Sequence, residues 1–128
     1  MLRAVHFYAD DARAAAEAEA LEAGDFARFL TLVKESGASS FMYLQNVACH
    51  SKPAEEQPVA AALALAEHLL GGEGAFRVHG GGFAGTIQAF VPLHRLEAFR
   101  MGMEAALGEG MCHVLAIRPV GGACLTEE

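Results

Sequence analysis

Residues 75–91 read "AFRVHGGGFAGTIQAFV", and this stretch decides the fold because it sets two strand-like segments on either side of a glycine cluster. Residues 75–79 and 85–91 are rich in apolar and β-branched side chains, which favours strands. A two-residue hairpin needs only one or two glycines with positive φ, whereas Gly80, Gly81, Gly82 and Gly85 all stand here. The spacing alone therefore leaves two interpretations equally open, a structural hairpin and a loop that lies against a ligand.

The segments around this hairpin predict alternating strands and helices. A helix is predicted within residues 53–70, where prolines and glutamates begin it, Gly71 and Gly72 end it, and an apolar stripe follows helical spacing: Val59, Ala62, Leu63, Ala66, Leu69, Leu70. A second helix follows Pro92, with its inward stripe formed by Leu96, Phe99, Met103 and Leu107. Strands are predicted in "FMYLQNVAC" (41–49) and in "MCHVLAIRP" (111–119), the latter apolar enough to be central in a sheet.

From residue 41 onward the predicted order is therefore β-α-β-β-α-β. This is the ferredoxin-like split βαβ arrangement of the α+β class, with an antiparallel sheet and helices on one face. Two helices precede it, one capped by Asp10 and ending at Gly24, the other capped by Asp25 and ending at Gly37. We expect one domain over residues 1–128, with a helical lead-in at 1–40, the ferredoxin-like core at 41–120 and a tail at 121–128.

Size, charge and hydropathy limit the classes of protein to which the chain can belong. With 128 residues, 53% of them hydrophobic, the chain can bury one real core. A net charge of −7 argues against a broad nucleic-acid-binding face. The longest apolar run, at 59–66, is far short of the roughly 20 residues of a membrane span, and the N-terminus turns acidic too early for a signal peptide. Three cysteines without a CxxC pair fit reduced thiols, so a cytoplasmic location is expected.

Metal and catalytic motifs are not evident in the sequence. Cys49–His50 and Cys112–His113 are adjacent pairs, and neighbours on a strand point to opposite faces, so neither pair can chelate one ion. No metal ligand and no catalytic residue is therefore assigned, and a hydrolase using Cys49 or Cys112 with a histidine has no local signal. The glycine cluster is neither a P-loop nor a dinucleotide fingerprint, because no GKS or GKT follows and a strand comes next.

The stretch "RVHGGGFAGTIQAFVP" (77–92) resembles the C-terminal glycine-rich motif of galactokinases, which commonly runs Arg-Met-Thr-Gly-Gly-Gly-Phe-Gly-Gly before an apolar strand. Galactokinases belong to the GHMP superfamily of small-molecule kinases. The resemblance covers nearly the whole chain: "EALEAGDFARFLTLVKESGASS" is similar to the family's helix ending in Glu-Ser-His-x-Ser, and "CHVLAIRPVGGA" to its closing strand. The chain departs from the family at His79 (usually threonine), Ala84 (usually glycine) and Gly37 (usually histidine).

The resemblance implies that the chain is the second half of such a kinase, with the glycine-rich loop lining an active site between the halves. The residues that carry over onto the motif are Arg77, Gly80, Gly81, Gly82, Phe83 and Gly85. Arg77, His79 and Tyr43 are expected near the substrate, although Tyr43 lies one position from the family's tyrosine.

The implied reaction is ATP-dependent phosphorylation of a sugar hydroxyl, with galactose as the expected sugar and Mg²⁺ as the metal. The family places the nucleotide loop, the magnesium-binding acid and the catalytic base in the N-terminal half, which becomes the expected partner. The chain alone is therefore expected to be catalytically silent, to bind neither ATP nor Mg²⁺, and to self-associate through uncovered apolar surface. The alternative is a free-standing ferredoxin-like module that binds a small ligand or regulates another protein.

Overall fold

The computed structural model describes residues 1–48, 57–83, 85–117 and 119–121. These residues form an α+β fold with four α-helices and one two-stranded antiparallel sheet. The elements are α1 (Leu2–Glu22), α2 (Phe26–Ser39), a π-helical turn (Ser40–Leu44), α3 (Pro58–Leu70), β1 (Ala75–Val78), β2 (Ile87–Phe90), a 3₁₀ turn (Leu93–Arg95) and α4 (Leu96–Leu107). No helix in the described part of the chain has both the length and the apolar composition of a membrane span.

The sheet confirms the predicted hairpin and lies between two layers of helices. β1 and β2 pair with Ala75 opposite Phe90 and Val78 opposite Ile87. Alternation along each strand sends Phe76 towards the core formed with α3 and α4, and the core members of those two helices are Ala62, Ala66, Leu70, Phe99 and Met103. The predicted apolar stripes of both helices therefore meet the sheet as expected.

The opposite face of the sheet packs on α2, which in turn packs on α1. The Phe90 ring meets the Phe29 ring edge-on, with 5.2 Å between the centroids. Helices therefore cover both faces of the sheet rather than the one face that was predicted.

Of the residues predicted to begin or end the two N-terminal helices, Asp25 has its predicted role, whereas Asp10 and Gly37 lie inside their helices. Asp25 caps α2 as expected, because its Oδ1 accepts a hydrogen bond of 3.0 Å from the Arg28 backbone N–H. Asp10, predicted to be a cap, lies inside α1, and its carboxylate serves α2 instead by accepting a hydrogen bond from the Ser36 hydroxyl. Gly37, predicted to end α2, also lies inside its helix, at a point where α2 crosses β1 too closely for a side chain.

The strand predicted at 41–49 is wrong over its described residues. Residues Ser40–Leu44 instead continue α2 as a π-helical turn, which ends at Gln45 with a φ of 55°. The turn is held by a hydrogen bond of 3.2 Å from the Gln45 N–H to the Ser40 carbonyl. An apolar composition that suits a strand also suits a helix end, and here the continuous helix of α2 decides between them. Cys49 lies outside the described residues.

The strand predicted at 111–119 is not formed by residues 111–117 either, and residue 118 lies outside the described set. A strand requires a neighbour to exchange backbone hydrogen bonds, and the other strand predicted outside the hairpin, at 41–49, is helical or irregular over its described residues. Leu115 and Ile117 are left 87% and 89% exposed. The α+β class is therefore confirmed, whereas two of the strands that the ferredoxin-like order needs are not present in the described residues.

Candidate functional site

The glycine-rich loop joins β1 to β2 over residues 79–86. The His79 N–H donates to the Thr86 carbonyl at 3.1 Å, and the Gly85 N–H donates to the Gly82 carbonyl at 3.0 Å. Gly80, Gly82 and Gly85 have φ values of +61°, +86° and +85°. Only glycine adopts this left-handed region without strain, so the hairpin itself accounts for these three glycines.

Gly81 is different from its neighbours. Its φ lies outside the left-handed region, its backbone is exposed, and a Cβ placed there would meet no atom of the described structure within 4 Å. Neither backbone conformation nor packing therefore requires glycine at this position. A ligand that approaches the backbone closely would require it.

Gly82 packs against a residue that sequence reasoning did not find. It is buried, and a Cβ there would collide with the Asn46 carbonyl oxygen and would lie 2.9 Å from Val78 Cγ1. The loop therefore rests on Asn46, which follows the π-helical turn.

Asn46 is only 2% exposed, and one of the two polar atoms of its side-chain amide has a hydrogen-bond partner while the other has none among the described residues. Its Oδ1 accepts a hydrogen bond of 3.1 Å from the Ser40 hydroxyl, whereas its Nδ2 has no hydrogen-bond partner among the described residues. Buried donors without partners are rare and costly, so each one calls for an explanation. The π-helical turn and the positive φ of Gln45 are further features that cluster at functional sites.

The other predicted site residues lie in different settings. Phe83 and His79 are exposed, and Tyr43 is half-buried in the π-helical turn. Arg77 turns away from the loop, because its Nη2 lies 3.8 Å from Asp10 Oδ2 and its Nε donates to the Val78 carbonyl at 3.2 Å.

The carboxylate of Asp10 joins α1, α2 and β1. Its Oδ1 accepts hydrogen bonds from Ser36 Oγ at 2.5 Å and from Arg13 Nη1 at 3.1 Å. His6 bridges the same region, with Nδ1 at 3.0 Å from Ser39 Oγ and Nε2 at 3.7 Å from Asp10 Oδ2. His6, Ser36 and Ser39 are buried and Asp10 is half-buried, and the group joins α1 to α2, so we interpret it as a structural network.

This network predicts acid sensitivity. Burial alone would raise the pKa of Asp10, but hydrogen bonds from Ser36 and Arg13 and the charges of Arg77 and His6 outweigh it and hold the pKa below 3.8. Because the folded-state pKa is lowered, the ionised carboxylate contributes stability that is fully present above pH 3.8 and is lost as the pH falls through the lowered value. Asp10→Asn should lower the free energy of unfolding by roughly 1 to 2 kcal/mol at pH 7 and by less in acid.

Urea unfolding of wild type and Asp10→Asn at a series of pH values tests this expectation. Glu17 on the same helix has its pKa raised, chiefly by burial, so its own contribution has the opposite sign. The exposed neighbour Asp11→Asn is the matched control and should follow wild type. A difference between wild type and Asp10→Asn that stays constant down to acid pH would contradict the assignment.

An apolar groove lies among the described residues. It has a volume of about 610 Å³ and lies where β1 meets α2 and α3. Its walls are mainly apolar, and its lining includes Phe41, Met42, Leu63, Phe76 and Val78. The described partner of β1 is β2, and no β2 residue lines the groove, so the groove follows the free edge of β1.

Comparison with protein-family models, with curated proteins and with solved structures finds no match for this chain. Within the described ranges, no group of three or more His, Cys, Asp or Glu side chains could hold a metal ion. The functional interpretation therefore depends on the glycine-rich loop and its contact with Asn46.

Proposed function

We propose that this chain is the C-terminal domain of a galactokinase-like sugar kinase, in which the glycine-rich loop lines the site where a sugar hydroxyl is phosphorylated. The observation that carries the proposal is Gly81, a glycine that neither the backbone conformation nor the packing requires. The resemblance of residues 77–92 to the family motif supports the same assignment.

The chemistry of the loop suits a supporting role in such a site. Gly80 and Gly81 are exposed and have no side chains to screen their backbone N–H groups, which can donate to ligand oxygens. The residues of the described structure do not fit Mg²⁺–ATP, since they offer no cluster of acidic ligands and the loop leads into a strand rather than a helix N-terminus. As the resemblance implies, ATP and Mg²⁺ would be held by the N-terminal half of the same kinase.

Exposed apolar side chains support the existence of that partner. Leu2, Phe7 and Tyr8 on α1 are exposed, as are Leu115 and Ile117 after α4. Large uncovered apolar surfaces mark interfaces. The N-terminal half would cover them, and within the complete kinase residues 111–119 would gain a strand partner and extend the sheet towards the full ferredoxin-like arrangement.

Replacing Gly81 tests the proposal. In the protein that contains this chain together with the N-terminal half, Gly81→Val should lower kcat/KM for ATP-dependent galactose phosphorylation by about a hundredfold or more, because the isopropyl group occupies space meant for substrate. The melting temperature should stay unchanged, since the added side chain meets nothing.

Gly121→Val is the matched control, because Gly121 is likewise exposed and open but lies outside the loop. It should leave both turnover and melting temperature unchanged. Full activity per folded molecule in Gly81→Val would show that the loop does not line the site.

A second candidate is the free-standing ligand-binding module, which the apolar groove beside β1 favours. This alternative predicts that the chain alone binds a small apolar ligand saturably in the groove. Ala64→Trp, on the α3 wall of the groove, should then abolish that binding.

A further inference from the structure

The apolar groove wraps around the free edge of β1. Phe76 and Arg77 both line it, although Phe76 points towards the core with α3 and Arg77 points towards Asp10 on α1. Its two walls come from helices that pack on opposite faces of the sheet, and they include Ala38 of α2 and Ala64 of α3. The groove therefore occupies the position that a further strand beside β1 would take.

The backbone of β1 directs hydrogen-bonding groups towards this groove. The His79 N–H donates to the Thr86 carbonyl, and Val78 lies opposite Ile87. Residues that bond to the partner strand alternate along an antiparallel ladder, so Phe76 directs its N–H and C=O groups away from β2. An added strand would pair with these groups.

A strand in the groove would be covered on both faces, by α2 on one side and by α3 on the other. Strands that are buried on both faces have nearly continuous apolar sequences rather than alternating ones. The charged side chains that the described residues contribute to the lining balance, with two positive and two negative: Lys34, Arg77, Glu67 and Glu73. The occupant that fits is therefore an extended, uncharged and continuously apolar segment of protein.

Residues 111–117, "MCHVLAI", have this composition. They contain no Asp, Glu, Lys or Arg, and they form neither a helix nor a strand in the structure. Leu115 and Ile117 are 87% and 89% exposed. As a strand these seven residues would span about 23 Å, which matches the length of about 20 Å that the 13 residues of α3 give to the groove wall.

The groove of the same chain lies on the far side of α3 from this segment. Leu65 and Leu69 pack against the core that α3 shares with α4, whereas Ala64 lies on the groove side of α3. Cys112 packs against that same core, so the segment leaves the molecule on the α4 side. Because α3 stands between them, the segment that enters the groove comes from a second copy of the chain.

We propose that residues 111–117 of one copy of this chain pair as a strand with β1 of a second copy, with their side chains held between α2 and α3. This proposal goes beyond the proposed function, because it supplies the strand partner of these residues from a second copy and leaves the apolar side chains of α1 to the N-terminal half. A reciprocal exchange joins two copies through two identical contacts and adds a third strand to each two-stranded sheet.

Light scattering after size-exclusion chromatography of the 128-residue chain, over a range of concentrations, tests the proposal. Leu115→Asp changes the donated segment, and Ala64→Trp changes the accepting groove. Both positions are exposed in the single chain, so each variant should fold, which circular dichroism checks. The matched controls are Leu93→Asp and Ala61→Trp, at exposed positions that lie outside the segment and outside the groove lining.

Wild type and both controls should associate to at least twice the mass of one chain. Leu115→Asp and Ala64→Trp should each raise the dissociation constant about tenfold or more, because a buried carboxylate or a filled groove opposes pairing. An equimolar mixture of these two variants should associate again, since one of them retains the groove and the other retains the segment. General stickiness of apolar surface would not restore association in the mixture.

Hydrogen exchange of the wild-type chain gives a second readout that needs no variant. Between low and high concentration, the amides of residues 75–78 and 111–117 should slow together. Protection confined to residues 2–8 would place the contact on the apolar side chains of α1 and overturn the proposal. A wild-type chain that stays monomeric, or a mixture of the two variants that does not associate, would overturn it as well. These measurements do not involve turnover, so the sugar-kinase function is tested separately by Gly81→Val.

Discussion

Gly82→Val should destabilise the folded chain by about 3 kcal/mol or more, whereas Gly81→Val should change the free energy of unfolding by no more than about 0.5 kcal/mol. At Gly82 two penalties add. Its φ of +86° is strained for any L side chain, and a Cβ there would collide with the Asn46 carbonyl oxygen. Val78 Cγ1, at 2.9 Å, is itself buried and cannot move aside easily.

Urea denaturation of the two variants, followed by circular dichroism, measures this difference. Gly81→Val is a close control, because it makes the same chemical change one residue away, at an exposed position with ordinary φ. Equal stability of the two variants would mean that the loop does not rest on Asn46. The pair also separates the two demands on the glycine cluster, since one glycine would be needed for the fold and the other for a ligand.

Gly37→His should destabilise the chain by roughly 2 to 3 kcal/mol. This change places the histidine usual in galactokinases where this chain has glycine. A Cβ at position 37 would lie 2.9 Å from Arg77 Cβ and 3.2 Å from the Phe76 carbonyl oxygen, so α2 must move away from β1. The gain in helix propensity on losing glycine, below about 1 kcal/mol, does not offset that movement.

Thermal unfolding of Gly37→His beside Ala38→His tests the close approach of α2 and β1. Ala38 is the next residue of the same helix and is exposed, so its histidine should be tolerated. If Gly37→His unfolds at the wild-type temperature, the contact between α2 and β1 is looser than described. The glycine at position 37 is therefore explained by packing in this chain.

The parts of the fold that sequence predicted correctly are those fixed by local rules. The hairpin was signalled by strand composition on both sides of glycines, and the stripe through Ala62 and Ala66 by helical spacing. The strands expected at 41–49 and 111–119 were inferred from apolar composition alone. Composition does not show whether a strand will find a partner, and pairing depends on contacts between distant segments.

The candidate site likewise contains residues that local sequence rules predict and residues whose role depends on contacts between distant segments. Gly80, Gly82 and Gly85 could be recognised because positive φ is a local demand on residue type. Asn46 was missed because its importance arises from contact with Gly82, which no local pattern encodes. The signal available was the polar pair Gln45–Asn46 inside the apolar run "FMYLQNVA". Arg77 was expected near a substrate because of the resemblance to the galactokinase motif, and its contacts in the structure tie it to Asp10 on α1.

The contact between Gly82 and Asn46 also bears on the order in which the chain folds. The two residues stand on either side of α3 in sequence, so forming their contact closes a long loop of chain. Hydrogen bonds within α3 and between β1 and β2 join residues much nearer in sequence and need far less loop closure. The contact between Gly82 and Asn46 therefore belongs to the high-contact-order part of the molecule, and we expect it to form later in folding than α3 and the hairpin.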